Sequence, residues 1–340
     1  MKTIKRLRFA AIVAMTIMLS VVSISICTDA VSAEIRQVYV SGELAGFDLS
    51  DQGPIVVGFD QVSTNDGVSP AQHSGINIGD VIYSIDGIRT EDIDAVKTRL
   101  MCSGETITVT CLRGGESMDF DVTPIVSDEG DKAIGCWLKN KFTGIGTITC
   151  YIPEENQIVM LGHSVSNSGS IVPTVYSGAM YKAHFMSVKK GEVNSPGEIR
   201  ACFDYSAPVI AKLETNSNSG LYGSINPWAA SWLNGFSCTI SDKYSIKGGH
   251  AEIICDVDGN GPQSYDIEIE SINLNRGEKN LIIKVVDHEL LDLTGGIIQG
   301  MSGSPILQDG CLIGAVTHVL VNDPTRGYGI FIENMLEVPN

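Results

Sequence analysis

Beyond residue 126 the chain is a series of short apolar runs separated by clusters of Gly, Asn and Asp. Ile158-Val159-Met160-Leu161 and Leu312-Ile313-Gly314-Ala315-Val316 are runs of strand length, and Leu281–Val286 is broken only by Lys284. Such runs are the pattern of buried strands. Asp266-Ile267-Glu268-Ile269-Glu270 alternates strictly, as a half-buried strand does, after the turn-rich break Asp258-Gly259-Asn260-Gly261-Pro262. Gln308-Asp309-Gly310, between two apolar runs, predicts a hairpin. Alternation and spacing together predict an all-β barrel assembly from about residue 126 to residue 340. Before residue 126 the pattern predicts short strands with two helices. Pro70–His73 forms a short helix, Gly75 a turn, Gly79-Asp80 the opening of a strand and Asp86-Gly87 a tight turn. Thr90 is expected to cap a helix through Leu100, with Glu91 and Asp92 in its first turn.

The first 33 residues read differently. Lys2, Lys5, Arg6 and Arg8 precede an apolar stretch from Phe9 to Cys27, followed by the small residues Val31-Ser32-Ala33. This is the pattern of a signal peptide or a retained signal anchor, and either places the body outside the cytoplasm. The chain carries a net charge of −17, and with the leader at +3 the body is at −20. So acidic a body argues against nucleic acid and against electrostatic adhesion to anionic lipid. Eight cysteines lie beyond the leader, with no C-x-x-C pair and no zinc-ligand spacing, so no metal or cofactor is expected. Cys111, Cys150, Cys255 and Cys311 sit inside strand-like runs and are read as reduced, packed thiols, as in a host living without oxygen.

Two motifs carry the chemistry. Gly300-Met301-Ser302-Gly303-Ser304-Pro305 resembles the nucleophile loop of a chymotrypsin-like serine protease, with Ser304 as the rival to Ser302. A serine hydroxyl needs an adjacent base, and imidazole has the matching pKa. Among six histidines His163 is the candidate, because it ends the apolar run 158–161 and precedes the serine in the order His, Asp, Ser. His73, His184 and His250 have polar or Gly-rich surroundings, His318 is placed in the pocket, and His288 competes with His163. Asp287, delivered by the run 281–286, is the candidate acid and Asp292 the runner-up. The N–H groups of Gly300 and Ser302 form the expected oxyanion hole. By analogy with that fold, Val316, Thr317, His318 and Val319 line the substrate pocket and Tyr328, Gly329 and Ile330 close it.

Residues 69–87, from Ser69-Pro70-Ala71 to Ile85-Asp86-Gly87, resemble a PDZ domain, which implies a unit over 34–125. There a peptide adds as an extra strand with its carboxylate held by backbone N–H groups, here expected from Leu44, Ala45, Gly46 and Phe47. The expected fold is therefore mainly β, an N-terminal PDZ domain followed by a chymotrypsin-like double β-barrel over 126–340, with the chemistry wholly in the second part. The leader, the PDZ unit, Gly162-His163-Ser164-Val165-Ser166, Gly300–Ile306 and Gly314–Val319 with Asn322–Thr325 together resemble the stage IV sporulation protein B peptidases. The resemblance implies a serine endopeptidase exported into the space between the forespore membranes. It implies a membrane-protein substrate that inhibits an intramembrane metalloprotease, whose release lets the late mother-cell sigma factor be processed. The PDZ unit is expected to hold a peptide or the chain's own N-terminal segment. A catalytically dead PDZ scaffold and a general extracytoplasmic quality-control protease are the alternatives.

Overall fold

A computed structural model describes residues 37–60, 69–126, 130–166, 172–233, 235–275 and 277–337. The leader at 1–33 lies outside the described residues. Among the described residues no helix is long and apolar enough to cross a membrane.

The chain opens with β1 (Gln37–Val40) and β2 (Leu44–Ser50), and the PDZ unit follows. That unit contains β3 (Ile55–Phe59), α1 (Pro70–Ser74), β4 (Val81–Ile85), β5 (Ile88–Arg89), α2 (Ile93–Cys102), β6 (Ile107–Arg113) and β7 (Glu116–Val122). It ends with β8 (Ile125–Val126), β9 (Lys132–Ala133) and β10 (Cys136–Lys139). Its sheet runs in the order β10-β3-β4-β6-β7, with β5 beside β4. Ser69 caps α1 by accepting from Gln72 N, and Asp86 and Gly87 both take positive φ, as a two-residue hairpin turn of primed type requires. Asp92, not Thr90, caps α2, its carboxylate accepting from Ala95 N at 2.7 Å. Thr90 is buried and donates its hydroxyl to the carbonyl of Ile82, so it ties a strand rather than a helix.

The protease part adds β11 (Phe142–Ile152), β12 (Gln157–Met160), β13 (Ser177–Lys182), β14 (His184–Lys189), β15 (Glu198–Cys202), β16 (Ala211–Ser217), β17 (Gly220–Ile225) and β18 (Phe236–Thr239). After these come β19 (Gly249–Cys255), β20 (Gln263–Ile272), β21 (Leu281–Val285), α3 (His288–Thr294), β22 (Pro305–Gln308), β23 (Cys311–Leu320), β24 (Asp323–Phe331) and α4 (Ile332–Leu336). The first barrel is β12-β17-β16-β13-β2-β11, closed by β11 pairing β12, and β1 and β18 extend it beyond β11. The second is the closed barrel β19-β20-β21-β24-β23-β22. Each has its own core. Phe47, Leu49, Ile158 and Leu213 belong to the first, and Ile253, Ile267, Ile283 and Val316 to the second. Asp309 and Gly310, both at positive φ, make the expected hairpin between β22 and β23.

The double barrel and the PDZ unit stand as expected, but the boundary between them does not. β2 is an inner strand of the first barrel, paired with β11 on one side and β13 on the other. The PDZ unit is thus an insertion, leaving the barrel after β2 and returning through β11. Leu44, Ala45, Gly46 and Phe47 are buried barrel residues and form no carboxylate loop. Their N–H groups belong to a paired strand, whose groups are spent on ladder bonds. The PDZ unit packs onto the first barrel through Ile55 and Val81.

Candidate active site

The loop before β22 is held from both barrels. On the second-barrel side, Gly303 N donates to Val316 O at 2.8 Å and Val316 N to Ser304 O at 2.9 Å. On the first-barrel side, Thr147 N donates to Ser302 O, Thr147 Oγ1 to Gly300 O at 2.8 Å and Thr149 Oγ1 to Gly303 O at 2.7 Å. Gly300 and Gly303 take φ of +101° and +95°, which a side chain resists. Ser304 is fully buried and donates to Met301 O at 2.7 Å, so it braces the turn. The N–H groups of Met301, Gly303 and Ser304 are all bonded to carbonyls. Those of Gly300 and Ser302 have no partner among the described residues, as donors kept for an oxyanion would.

His163 follows β12 through Leu161 and Gly162, both at positive φ. A leucine in that region stores strain, of the kind found beside functional sites. The His163 Nδ1 lies 2.9 Å from the Ser164 carbonyl. A carbonyl only accepts, so in the neutral ring Nδ1 carries the proton and Nε2 the lone pair. That is the tautomer a general base needs. Burial pushes the His163 pKa below its ordinary value, opposed by the Ser164 carbonyl and the Glu278 carboxylate. The imidazole therefore stays neutral at pH values where free imidazole begins to charge. His318 packs on it, ring centroids 4.6 Å apart. Its own pKa is pushed down to about 4 by shielding from water, by His163 and by Lys279. A bulge places His318 there. Between the pairs Val316↔Gly329 and Val319↔Gly327, Thr317 and His318 oppose Tyr328 alone.

Ser302 and His163 line one cleft of about 550 Å³ with Thr317, His318, Val319 and Glu278. Ser302 Oγ donates to the Thr317 carbonyl at 2.7 Å. For attack the hydroxyl must turn from that carbonyl to His163 Nε2.

The structure does not bring Asp287 to this cleft. Its carboxylate caps α3, accepting from Leu290 N at 2.9 Å and from Asp266 N at 3.4 Å. Asp292 and His288 are exposed on the same helix. The Ser164 carbonyl occupies the Nδ1 position expected of the acid, and Glu278 is the carboxylate that lines the cleft. Asp287→Ala is expected to cost about 1 kcal/mol of stability, and Asp287→Asn to restore it, because Asn caps as well as Asp. Thermal melts of both variants check the cap. Loss of activity in a fully stable Asp287→Asn would return the carboxylate to the reaction.

Two further expectations change. Val316 and Ile330 are fully buried in the barrel cores and do not line the cleft, nor do Tyr328 and Gly329. Thr317, His318 and Val319 do. Thr147 and Thr149 escaped the sequence reading altogether. Their signal was a pair of threonines two apart in an apolar strand, hence on one face of it.

The model of the SpoIVB peptidase S55 family matches residues 130–336, and a PDZ-domain model matches 67–113. The chain belongs to the SpoIVB peptidase S55 family. It is a serine endopeptidase, and the matched stretch of this S55 peptidase contains both His163 and Ser302. β1 and β2, which help build the first barrel, lie before that stretch. Among solved structures, the Rv3671c protease of M. tuberculosis in its active form is 13% identical. That alignment covers 57% of this chain and 71% of the other, with a TM-score of 0.33. The HtrA-type protease AlgW with decapeptide is 11% identical over 88% of this chain and 63% of the other, with a TM-score of 0.35. No curated protein matches the chain.

Proposed function

We propose that this serine endopeptidase is a sporulation protease, exported to the space between the forespore membranes and associated with a membrane. Its substrate there is a membrane protein that inhibits an intramembrane metalloprotease. Cleavage frees that metalloprotease to process the late mother-cell sigma factor. The observation that carries this reading is the family match over 130–336, which contains both Ser302 and His163.

The PDZ unit has a groove suited to an extended peptide, at a different place from the one the sequence pointed to. A cleft of about 500 Å³ runs between α2 and the segment of β9 and β10. Ile93, Val96, Leu100 and Met101 line one side, and Ile134 and Leu138 the other. β10 is the outer strand of its sheet, so it offers one edge to an added strand. A tail held there, from the membrane substrate or from the chain's own N-terminal segment, raises the local concentration of the scissile bond.

The test uses the full chain with the membrane-embedded inhibitor in vesicles and with unfolded casein as competitor. Cleavage confined to a few sites of the inhibitor, absent in Ser302→Ala and weakened by Met101→Asp at an exposed position of the PDZ groove, is the expected result. Broad digestion of casein with the inhibitor left intact would replace this reading with a quality-control protease.

A further inference from the structure

We propose that the active-site cleft selects an aliphatic side chain on the acyl side of the scissile bond, held by Pro196, Ile297, Ile298, Val319 and Val321. The proposal rests on Ser302 being the nucleophile, and it adds the substrate class that the sequence left open.

Three separate segments converge beside the oxyanion donors. The first is the stretch Ile297-Ile298-Gln299 that leads into Gly300. It is pinned by Gln299 N donating to Gly197 O at 2.9 Å, Ile199 N to Gln299 O at 2.8 Å and Ile297 N to Pro324 O at 2.7 Å. The second is the turn between β14 and β15, which carries Pro196. The third is the end of β23 and the turn after it, with Val319 and Val321. Asn194 N donates to Val321 O at 2.8 Å and ties the second segment to the third. All five named residues line the cleft that holds Ser302.

The position of these residues decides which side of the substrate they meet. The N–H groups without a partner among the described residues belong to Gly300 and Ser302, at and just beyond the end of 297–299. A carbonyl oxygen bound there presents its own residue to that stretch, while the leaving group points away. The first barrel contributes Phe47, Ile145 and Leu161 to the lining of the same cleft.

The chemistry of the wall decides what it accepts. None of its five side chains can donate, accept or carry charge. The ionisable residues lining the cleft are His163, His318 and Glu278, the two rings packed on each other and the carboxylate acting on His163. Lys279, beside His318, adds a positive charge at that end. A charged acyl-side chain would give up its hydration against the apolar wall with no opposite charge there, and with only the neutral Gln299 amide of that stretch as a polar partner. An aliphatic chain gains from the same transfer, and in an apolar enzyme pocket each methylene discriminates by about tenfold or more. Ile297 and Ile298 are each 2% exposed, which makes them a fixed floor, whereas Val321 is 52% exposed and stands at the rim.

Fluorogenic peptides differing only at the acyl-side residue, cleaved by the full chain, test this. Rates are normalised to the fraction of Ser302 that a fluorophosphonate labels. Leu, Val or Met is expected to exceed Ala by at least about 100-fold, and Lys, Arg, Asp or Glu by at least about as much. Val319→Glu is expected to raise the Lys-to-Leu ratio by at least about tenfold. Val321→Glu, at an exposed position that folding tolerates, should shift it in the same direction. A wild-type preference for a charged acyl-side residue would overturn the proposal. So would a Val319→Glu effect confined to the leaving-group side. Cleavage that survives in Ser302→Ala would instead remove the nucleophile assignment on which the pocket depends, and the pocket with it.

Discussion

Ser302→Ala is expected to lower kcat for peptide hydrolysis by about 10⁵- to 10⁶-fold while leaving the fold intact. Ser302 sits in the cleft with its Oγ–H on a backbone carbonyl, so removing the hydroxyl opens no cavity and strands no buried donor. The residual rate would come from the oxyanion donors and substrate binding alone. Ser304→Ala has the opposite profile. Its hydroxyl is fully buried and braces Met301 O, so its loss costs about 1 kcal/mol of stability and weakens activity only modestly. Single-turnover cleavage assays with urea denaturation on both variants separate these effects. An active Ser302→Ala with an inert Ser304→Ala would move the nucleophile.

Gly303→Ala should be among the most damaging single methyls in the protease. Gly303 has φ of +95°, and an added Cβ would collide with the Thr147 carbonyl oxygen and come within 2.5 Å of Leu161 N. Both obstacles are backbone of the first barrel, and neither can swing aside as a side chain tip does. The strained backbone adds to the steric clash, and together they are expected to cost at least about 3 kcal/mol. Gly310→Ala is the control. It also has positive φ, at +77°, but its Cβ would meet nothing within 4 Å, so it should cost only about 1 kcal/mol. Chemical denaturation of the two variants, with fluorophosphonate labelling of the folded fraction, tests the comparison. Equal losses would mean that the close approach of the nucleophile loop to β11 carries no weight.

Features written in local chemistry were legible in the sequence. The glycines of the nucleophile loop, the Asp86-Gly87 and Asp309-Gly310 turns, and a histidine directly after a buried strand all declare themselves within a few residues. What failed depended on partners far along the chain. Leu44–Phe47 looked like a Gly-containing loop because a strand buried on both faces shows no alternation, and Gly46 is glycine because the Phe203 ring lies against it. An Asp after a strand reads the same whether it holds an imidazole or a helix end. Asp287 does the latter, through a bond only three residues long. The bulge at Thr317-His318 lets both of these neighbours line the cleft, which strict strand alternation would have forbidden.

The insertion of the PDZ unit into the first barrel fixes an order of assembly. β1 and β2 precede the PDZ unit in the chain but lack their partner β11 until the chain beyond that whole unit is available. That unit completes its own sheet between Ile55 and Lys139, so it is able to fold while the strands before it wait. Once folded, it brings the end of β2 near the start of β11, where Leu49 pairs with Phe142. A long-range pairing thereby becomes almost a hairpin, with most of its loop-closure entropy already spent. The unit is therefore a folding clip, whatever else it binds. A peptidase trimmed to begin near Val126 loses two barrel strands along with the clip, and lesions in the PDZ core should appear first as slow maturation of the protease.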